Sequence, residues 1–135
     1  MHSRRALLYV PGDDPHKIEK ALTLNVDCIC MDMEDGVALS RKQEARHTIG
    51  RALQEQDFGA SERLVRINPA GSGWEAEELA AVLPGHPDGI VIPKVENIGQ
   101  VTWAGGLIES VELAHGWPLN SIRLVVDGEI GRAHV

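Results

Sequence analysis

Residues 28–35 read CICMDMED, a short apolar run that ends in three carboxylates within four residues. An unbroken apolar run of this length is typical of a strand buried on both faces, as in the parallel sheet of an α/β protein. Residues 89–92, GIVI, show the same pattern and are followed by PKVE at 93–96. The sequence therefore predicts buried parallel strands with charged side chains at their ends.

Five strand-like segments alternate with helical stretches along the chain. We predict strands at residues 6–10, 28–33, 64–67, 89–92 and 122–126. Single helices between consecutive strands imply right-handed crossovers, and such crossovers join parallel strands. The pattern predicts the α/β class.

Three of the predicted helices carry start signals. Asp14 precedes a proline at the first helical position, while Ser40 with Gln43 and Ser72 with Glu75 fit the capping box. A fourth helical region is expected within 96–114. The second helix is the most polar, and its charged residues are interpreted as a solvated face: Arg41, Lys42, Glu44, Arg46, Arg51 and Glu55.

The polar residues decide between an open sheet and a barrel. They follow the first four strands, at 11–14, 34–36, 68–69 and 93–96. In a β/α barrel the carboxyl ends of all strands meet at one mouth, whereas a doubly wound sheet has one switch-point crevice. No glycine-rich phosphate fingerprint follows the first strand. We therefore predict the N-terminal part of a (β/α)8 TIM barrel.

A full barrel has eight strands and about 250 residues, more than a chain with about five strands can supply. We assign residues 1–128 to an incomplete barrel domain. The last residues, 129–135, read EIGRAHV and are interpreted as a non-native tail.

Composition limits the partners and the location. The net charge of -7 argues against nonspecific binding to nucleic acid or to anionic membranes. Cys28 and Cys30 are expected to be reduced thiols, which fits a reducing cytosol. The apolar run near the N-terminus is too short for a signal peptide or a membrane span. We expect a cytoplasmic protein.

The carboxylates Asp32, Glu34 and Asp35 repel one another unless a cation lies nearby. They are candidates for contacts with a metal or its water and for proton transfer, or they are helix-capping and solvated loop charges. Arg66 lies inside an apolar strand, where a cation needs an anionic partner. It forms a structural ion pair with one of these carboxylates, or it grips a substrate carboxylate or oxyanion.

Two interpretations stay open for Lys94 and Glu96, an inward-pointing pair or a salt bridge at the rim. The six histidines form no ligand spacing. The sequence contains no G-x-S-x-G elbow, Cys/His pair or Walker loop, which argues against acyl hydrolysis and NTP chemistry.

Four motifs carry a resemblance to a known family. RALLYVPG (5–12), MDMEDGV (31–37), VRINP (65–69) and IPKVE (92–96) occur in this order. Together they resemble the citrate lyase β-subunit-like branch of the HpcH/HpaI aldolase family. The resemblance implies a (β/α)8 barrel that uses Mg2+ to cleave or condense 3-hydroxyacyl-CoA thioesters such as malyl-CoA, citramalyl-CoA or citryl thioesters. It also implies a homo-oligomer, with a trimer among the candidates.

The same resemblance suggests roles for individual residues. Arg66 matches the catalytic arginine that steadies the carbonyl oxygen and binds the 2-oxo acid. Glu34 and Asp35 match the acidic motif, and Lys94 is a candidate for substrate binding. Glu129 lies where the first metal ligand is expected, and the second ligand lies beyond the chain. Candidate contacts for the CoA phosphates are Arg4, Arg5, Arg41, Lys42 and Arg46.

Three alternatives remain beside this lyase. One is a class II aldolase that forms pyruvate from 4-hydroxy-2-oxo acids, although the YVPG motif and Glu34-Asp35 favour the first branch. Another is a subunit of a citrate lyase complex whose substrate is carried by an acyl carrier protein. The third is an N-terminal fragment that is inactive by itself, as we expect for this chain alone.

Overall fold

The structure, a computed structural model, describes residues 6–126 of the 135-residue chain. Strands and helices alternate strictly along it. The strands are β1 (Leu7–Pro11), β2 (Cys28–Asp32), β3 (Glu62–Arg66), β4 (Gly89–Ile92) and β5 (Arg123–Val126). The helices are α1 (Pro15–Leu22), α2 (Lys42–Glu55), α3 (Glu75–Val82) and α4 (Ile98–His115). Short 3-10 turns precede α2 at Leu39–Arg41 and follow α3 at Leu83–Gly85.

The five strands form one parallel sheet in the order β1-β2-β3-β4-β5. Each helix therefore joins a strand to the next strand in the sheet, and the chain advances across the sheet in one direction. A doubly wound sheet reverses its strand order at a switch point, whereas a β/α barrel keeps the sequence order throughout. The α/β prediction is confirmed, and the strand order is that of part of a barrel.

Successive side chains along a strand point to opposite faces of the sheet, so they belong to two different hydrophobic clusters. Ile29, Met31 and Val65 belong to the larger cluster, which also contains the apolar faces of the helices. Cys30 and Val91 belong to a second cluster on the opposite face. Burial on both faces explains the unbroken apolar runs in the sequence. Both cysteines are buried thiols that are not joined in a disulfide, as expected.

The first helix begins where the sequence predicts. The Asp14 side chain caps α1 by accepting a hydrogen bond of 3.1 Å from the Lys17 backbone N–H. The inner face of α1 is apolar, since Ile18 and Ala21 are buried and Leu22 packs against the core.

The two predicted capping boxes are wrong. Ser40 lies inside the 3-10 turn, and α2 begins at Lys42 without a side-chain cap. Ser72 does contact Glu75, with 3.2 Å between Oγ and Oε1, but α3 begins only at Glu75. The Glu75 carboxylate instead accepts hydrogen bonds from the backbone of the preceding loop, at Gly71 and Gly73.

The third strand differs from its predicted limits because polar residues at its start are partnered within the fold. Glu62 forms an ion pair with Arg123, which links β3 to β5 across β4. The Arg63 backbone N–H donates to Asp88 Oδ2 at 2.8 Å. These contacts allow β3 to begin two residues before its apolar core.

Between residues 6 and 126, none of the helices combines the length and the apolar character that a membrane span requires.

Candidate active site

The carboxyl ends of three neighbouring strands bring the site together. Asp32 ends β2 and lies opposite Arg66, which ends β3. Glu34 follows β2 directly, and Lys94 follows β4. The charged residues that the sequence placed at separate strand ends are therefore neighbours in space. They occupy the edge of the sheet that forms the active-site mouth in β/α barrels.

Asp32 and Arg66 form a bidentate ion pair. Arg66 Nε lies 2.9 Å from Asp32 Oδ1, and the neighbouring NH2 group lies 2.8 Å from Oδ2. Both side chains are largely buried, 5% and 13% exposed respectively. The guanidinium also lies over the ring of Tyr9, 4.8 Å from its centroid. The structural ion pair is thus present, and it fixes the plane of the guanidinium.

Asp32 also organises the turn that follows β2. Its two oxygens each accept a backbone hydrogen bond of 2.8 Å, from Glu34 and from Gly36. Burial raises the pKa of Asp32, but the hydrogen bonds from Arg66 and from these two amides outweigh it and hold the pKa below its usual range. Asp32 is therefore an ionised anchor for Arg66 and for the turn.

Glu34 is buried between two cations. Lys94 Nζ lies 2.6 Å from its Oε2, and Arg66 Nε lies 3.6 Å from its Oε1. Neither carboxylate oxygen accepts a hydrogen bond of good geometry within residues 6–126. Charge attraction, more than directional hydrogen bonding, therefore balances Glu34. Such a carboxylate keeps capacity to accept further bonds.

Lys94 reaches the site from the mouth, and its side chain is 65% exposed. The short contact with the Glu34 carboxylate and the negative charges of Glu34 and Asp35 raise the pKa of Lys94, so its ammonium stays protonated at neutral pH. Asp35 lies further out, 3.7 Å from Nζ. The proposed pairing of Lys94 with Glu96 is not what the structure shows, since Glu96 is exposed and Lys94 contacts Glu34.

The backbone of Lys94 is left-handed, with φ of 52°. In this region the Cβ atom crowds the following carbonyl oxygen, so residues other than glycine are uncommon there. Backbone strain of this kind concentrates at functional sites, where the surrounding structure holds it.

Gly12 fixes the loop after β1 against the site. Its backbone N–H donates to the Asp32 carbonyl oxygen at 2.8 Å. A Cβ atom on Gly12 would lie 2.7 Å from that oxygen and 2.5 Å from Ile49 Cδ1. The contact is possible only without a side chain, which explains the glycine of the YVPG motif.

Sequence reasoning missed a set of buried polar residues behind the site. Lys42, expected on a solvated face, is 3% exposed, and Glu78 is fully buried. Asn68 lies between them and donates to the Met33 carbonyl oxygen. A signal was available, because Lys42 continues the buried stripe of α2 that includes Ala45.

Lys42 and Arg46 correct the interpretation of the charged residues of α2 as one solvated face. Only 12% of the Arg46 side chain is exposed. Arg41 is on the surface but is paired with Asp13 and Glu44. Burial removes Lys42 from the candidate contacts for CoA phosphates. Arg4 and Arg5 lie outside the described residues.

The described residues do not form a metal site by themselves. No three His, Cys, Asp or Glu side chains in the part of the chain from 6 to 126 are placed to hold a metal ion together. Glu129, the expected metal ligand, and the rest of the segment 129–135 lie outside the described residues.

Comparison with known proteins decides the family. Residues 5–133 match the model of the HpcH/HpaI aldolase/citrate lyase family. The chain belongs to this family. Among its relatives, the human mitochondrial citramalyl-CoA lyase is 45% identical over 102 residues, which are 74% of this chain. The citrate lyase β subunit of Leuconostoc mesenteroides subsp. cremoris is 33% identical over 122 residues, or 90% of this chain.

Solved structures of this family support the fold. CitE from Mycobacterium tuberculosis, in complex with magnesium, acetoacetate and coenzyme A, superposes with a TM-score of 0.62 at 31% identity. The match covers 77% of this chain and 36% of the CitE chain. The chain likewise spans 30% of the human relative and 40% of the Leuconostoc relative. The chain thus spans about a third of the length of each of these three proteins.

Proposed function

We propose that the complete protein is a Mg2+-dependent carbon–carbon lyase that acts on 3-hydroxyacyl-CoA thioesters. The observation that carries the proposal is the guanidinium of Arg66, fixed by Asp32 at the mouth of a barrel sheet in a member of this family. The similarity to a citramalyl-CoA lyase over 74% of the chain supports the substrate class. The whole activity requires parts of the barrel beyond the described residues.

The reaction places two demands on the site. Cleavage breaks the bond between the second and third carbons of the acyl chain. The 3-hydroxyl group loses its proton and becomes the carbonyl oxygen of the released oxo acid. The electron pair of the broken bond passes to the thioester as an enolate, which then takes up a proton. Negative charge must therefore be stabilised at two oxygens, and positioned cations are suited to this task.

Arg66 is our candidate for the oxygen that becomes the carbonyl of the oxo acid. Its orientation is set before substrate arrives, so little reorganisation is needed when charge develops. Lys94 is our candidate for binding the substrate carboxylate or thioester oxygen, because it is protonated and exposed at the mouth. A Schiff-base role does not suit an ammonium group with a raised pKa.

Glu34 and Asp35 supply the negative part of the site. Glu34 orients Lys94 through their contact, while Asp35 is 69% exposed and within reach of water at the mouth. We propose that Asp35 contacts the metal through water or transfers a proton. We propose Mg2+ as the cofactor because the CitE structure contains it. Its ligands would come from beyond residue 126, with Glu129 as one candidate.

The test uses the complete protein that contains this sequence. It is incubated with Mg2+ and citramalyl-CoA or malyl-CoA, and the release of pyruvate or glyoxylate is followed. We expect release of the oxo acid together with acetyl-CoA, and loss of turnover when EDTA removes the metal. Turnover of free 4-hydroxy-2-oxo acids without thioester cleavage would establish the aldolase instead.

The similarity to the Leuconostoc citrate lyase β subunit favours a second candidate, a subunit of a citrate lyase complex. Its thioester would be carried by an acyl carrier protein, as the sequence resemblance implies. In that case citryl thioester bound to the carrier would be cleaved, while CoA thioesters would not. Running both substrates in parallel separates the two functions.

A further inference from the structure

Lys42 reaches from α2 to the back of the active-site turn. Its Nζ lies 2.6 Å from the Met33 carbonyl oxygen and 2.7 Å from the Glu34 carbonyl oxygen. The residue is 3% exposed, so the ammonium group is removed from water. Lys42 thus binds the backbone that carries the Glu34 side chain, whereas Lys94 contacts the Glu34 carboxylate.

Asn68, in the loop after β3, binds the same turn, and Glu78 of α3 in turn holds Asn68. Asn68 Nδ2 donates to the Met33 carbonyl oxygen at 2.7 Å and also to Glu78 Oε2. The Asn68 backbone N–H donates to Glu78 Oε1 at 2.7 Å. Burial raises the pKa of Glu78, and the hydrogen bonds from Asn68 and the charges of Lys42 and Arg46 oppose it.

The simplest alternative is that these residues only hold the helices on the sheet. Apolar side chains of similar volume would do that equally well, since buried ions lose their hydration and are often replaceable without loss of stability. The contacts instead converge on two successive carbonyl oxygens, those of Met33 and Glu34. A role in placing this turn accounts for that convergence.

We propose that Lys42, Asn68 and Glu78 are positioning residues for Glu34. They hold its backbone so that the carboxylate stays between Lys94 and Arg66. This inference rests on the proposed function, because it assigns the three residues to that site. It predicts that substitution of these residues displaces the Glu34 carboxylate and thereby weakens its contact with Lys94.

The first experiment is a double-mutant cycle in the complete enzyme. Lys42→Met is expected to lower kcat by about 10- to 100-fold with little change in KM, as for other outer-layer residues that orient a site. In a Glu34→Gln background the same change should cost less than about threefold, because the residue that Lys42 positions is already disabled. An equal loss of kcat in both backgrounds would overturn the proposal.

A second variant distinguishes a loss of positioning from a folding defect. Glu78→Gln keeps the shape but removes the charge and replaces one of the two acceptor oxygens with an amide group, so it is expected to fold and to show a smaller loss of kcat. Arg51→Met is the matched control on α2, since its side chain is 76% exposed and is paired with Glu55 on the same helix. Thermal unfolding of each variant confirms that the rates compare folded proteins.

The second experiment does not depend on catalysis. Acetylation of the Lys94 amine by acetic anhydride is measured by mass spectrometry of its peptide. Lys42→Met should raise this rate several-fold by loosening the Lys94–Glu34 contact, and Arg51→Met should not change it. If the parent protein cleaves no thioester but Lys94 responds, the proposed function fails and the positioning role stands. If the parent cleaves thioesters and neither kcat nor Lys94 acetylation responds to Lys42→Met, the positioning role fails.

Discussion

Arg66 is held in one orientation by Asp32 and lies over the Tyr9 ring. A lysine at this position would keep the positive charge but lose the planar fork that matches a carboxylate. We expect Arg66→Lys to lower kcat/KM of the complete enzyme by about 100- to 1000-fold, the loss typical of a removed oxyanion donor. Steady-state kinetics with the CoA thioester measures it.

Arg51→Lys is the control for this change, because Arg51 is an exposed arginine on the outer side of α2. It should leave the kinetics unaltered. Full activity of Arg66→Lys would show that the charge alone suffices and that the fixed plane of the guanidinium has no catalytic role.

Asp32 makes stability depend on pH. Its pKa is lower in the folded protein than in the unfolded chain, so its contribution is complete above the unfolded pKa of about 3.9. The contribution disappears as the pH falls through the folded pKa. Asp32→Asn also breaks the buried bidentate ion pair with Arg66, and we expect it to destabilise the protein by about 3–5 kcal/mol at neutral pH.

Urea unfolding of the complete protein and its Asp32→Asn variant at neutral and at acidic pH tests this dependence. The difference in unfolding free energy should shrink below about pH 4, where the Asp32 carboxyl group is protonated first in the unfolded chain and then, at lower pH, in the folded protein. A difference that is constant across this range would show that the charge of Asp32 does not stabilise the fold.

Single residues show what the sequence could and could not reveal about the site. The need of Arg66 for an anion followed from its place in an apolar strand, and its partner Asp32 was among the candidates. The contact of Lys94 with Glu34 was missed because the loop after β4 turns back through a left-handed residue. Lys42 was wrongly assigned to the solvated face because its side chain is charged. Its position on the buried stripe of α2 indicated that it is buried.

At the scale of elements, Gly12 sets how closely β1 and its loop approach β2. We expect Gly12→Ala to destabilise the protein by about 1–3 kcal/mol, because the new methyl group has no room beside the Asp32 carbonyl oxygen. Gly106→Ala is the matched control within α4, where a Cβ atom would meet nothing within 4 Å.

The control should shift stability in the opposite direction, by about 0.5–1 kcal/mol, since alanine is favoured over glycine inside a helix. The midpoints of urea unfolding compare the two variants. Equal behaviour of Gly12→Ala and Gly106→Ala would mean that the loop after β1 adjusts freely.

Strands were predicted better than helix starts. The apolar runs of β2 and β4 can be recognised in the sequence, because strands buried on both faces contain few polar residues. Helix starts depend on a few backbone angles instead. Ser40 and Ser72 carry the capping pattern, yet a 3-10 turn and a glycine-rich loop lead into α2 and α3 and move their starts downstream.

At the scale of the whole molecule, the described sheet pairs β1 and β5 on one side only. Strand edges without partners bind other chains and promote aggregation, and a complete barrel removes them by closure. We expect the 135-residue chain, expressed alone, to aggregate and to show no lyase activity. Light scattering after size-exclusion chromatography measures this, with the complete protein as control.

The complete protein is expected to elute as a homo-oligomer, with a trimer as one candidate. A soluble 135-residue monomer that unfolds cooperatively would contradict the expectation for the chain alone. It would mean that five strands and their helices form an autonomous folding unit.

Because the backbone at Lys94 is left-handed, stability and activity should favour different residues at this position. Screening a random library of the complete enzyme for heat resistance should enrich glycine or asparagine there, since both relieve the backbone conflict. Screening the same library for turnover should retain lysine. Lysine at this position would then lower the stability of the barrel while supplying the ammonium group that turnover requires at its mouth.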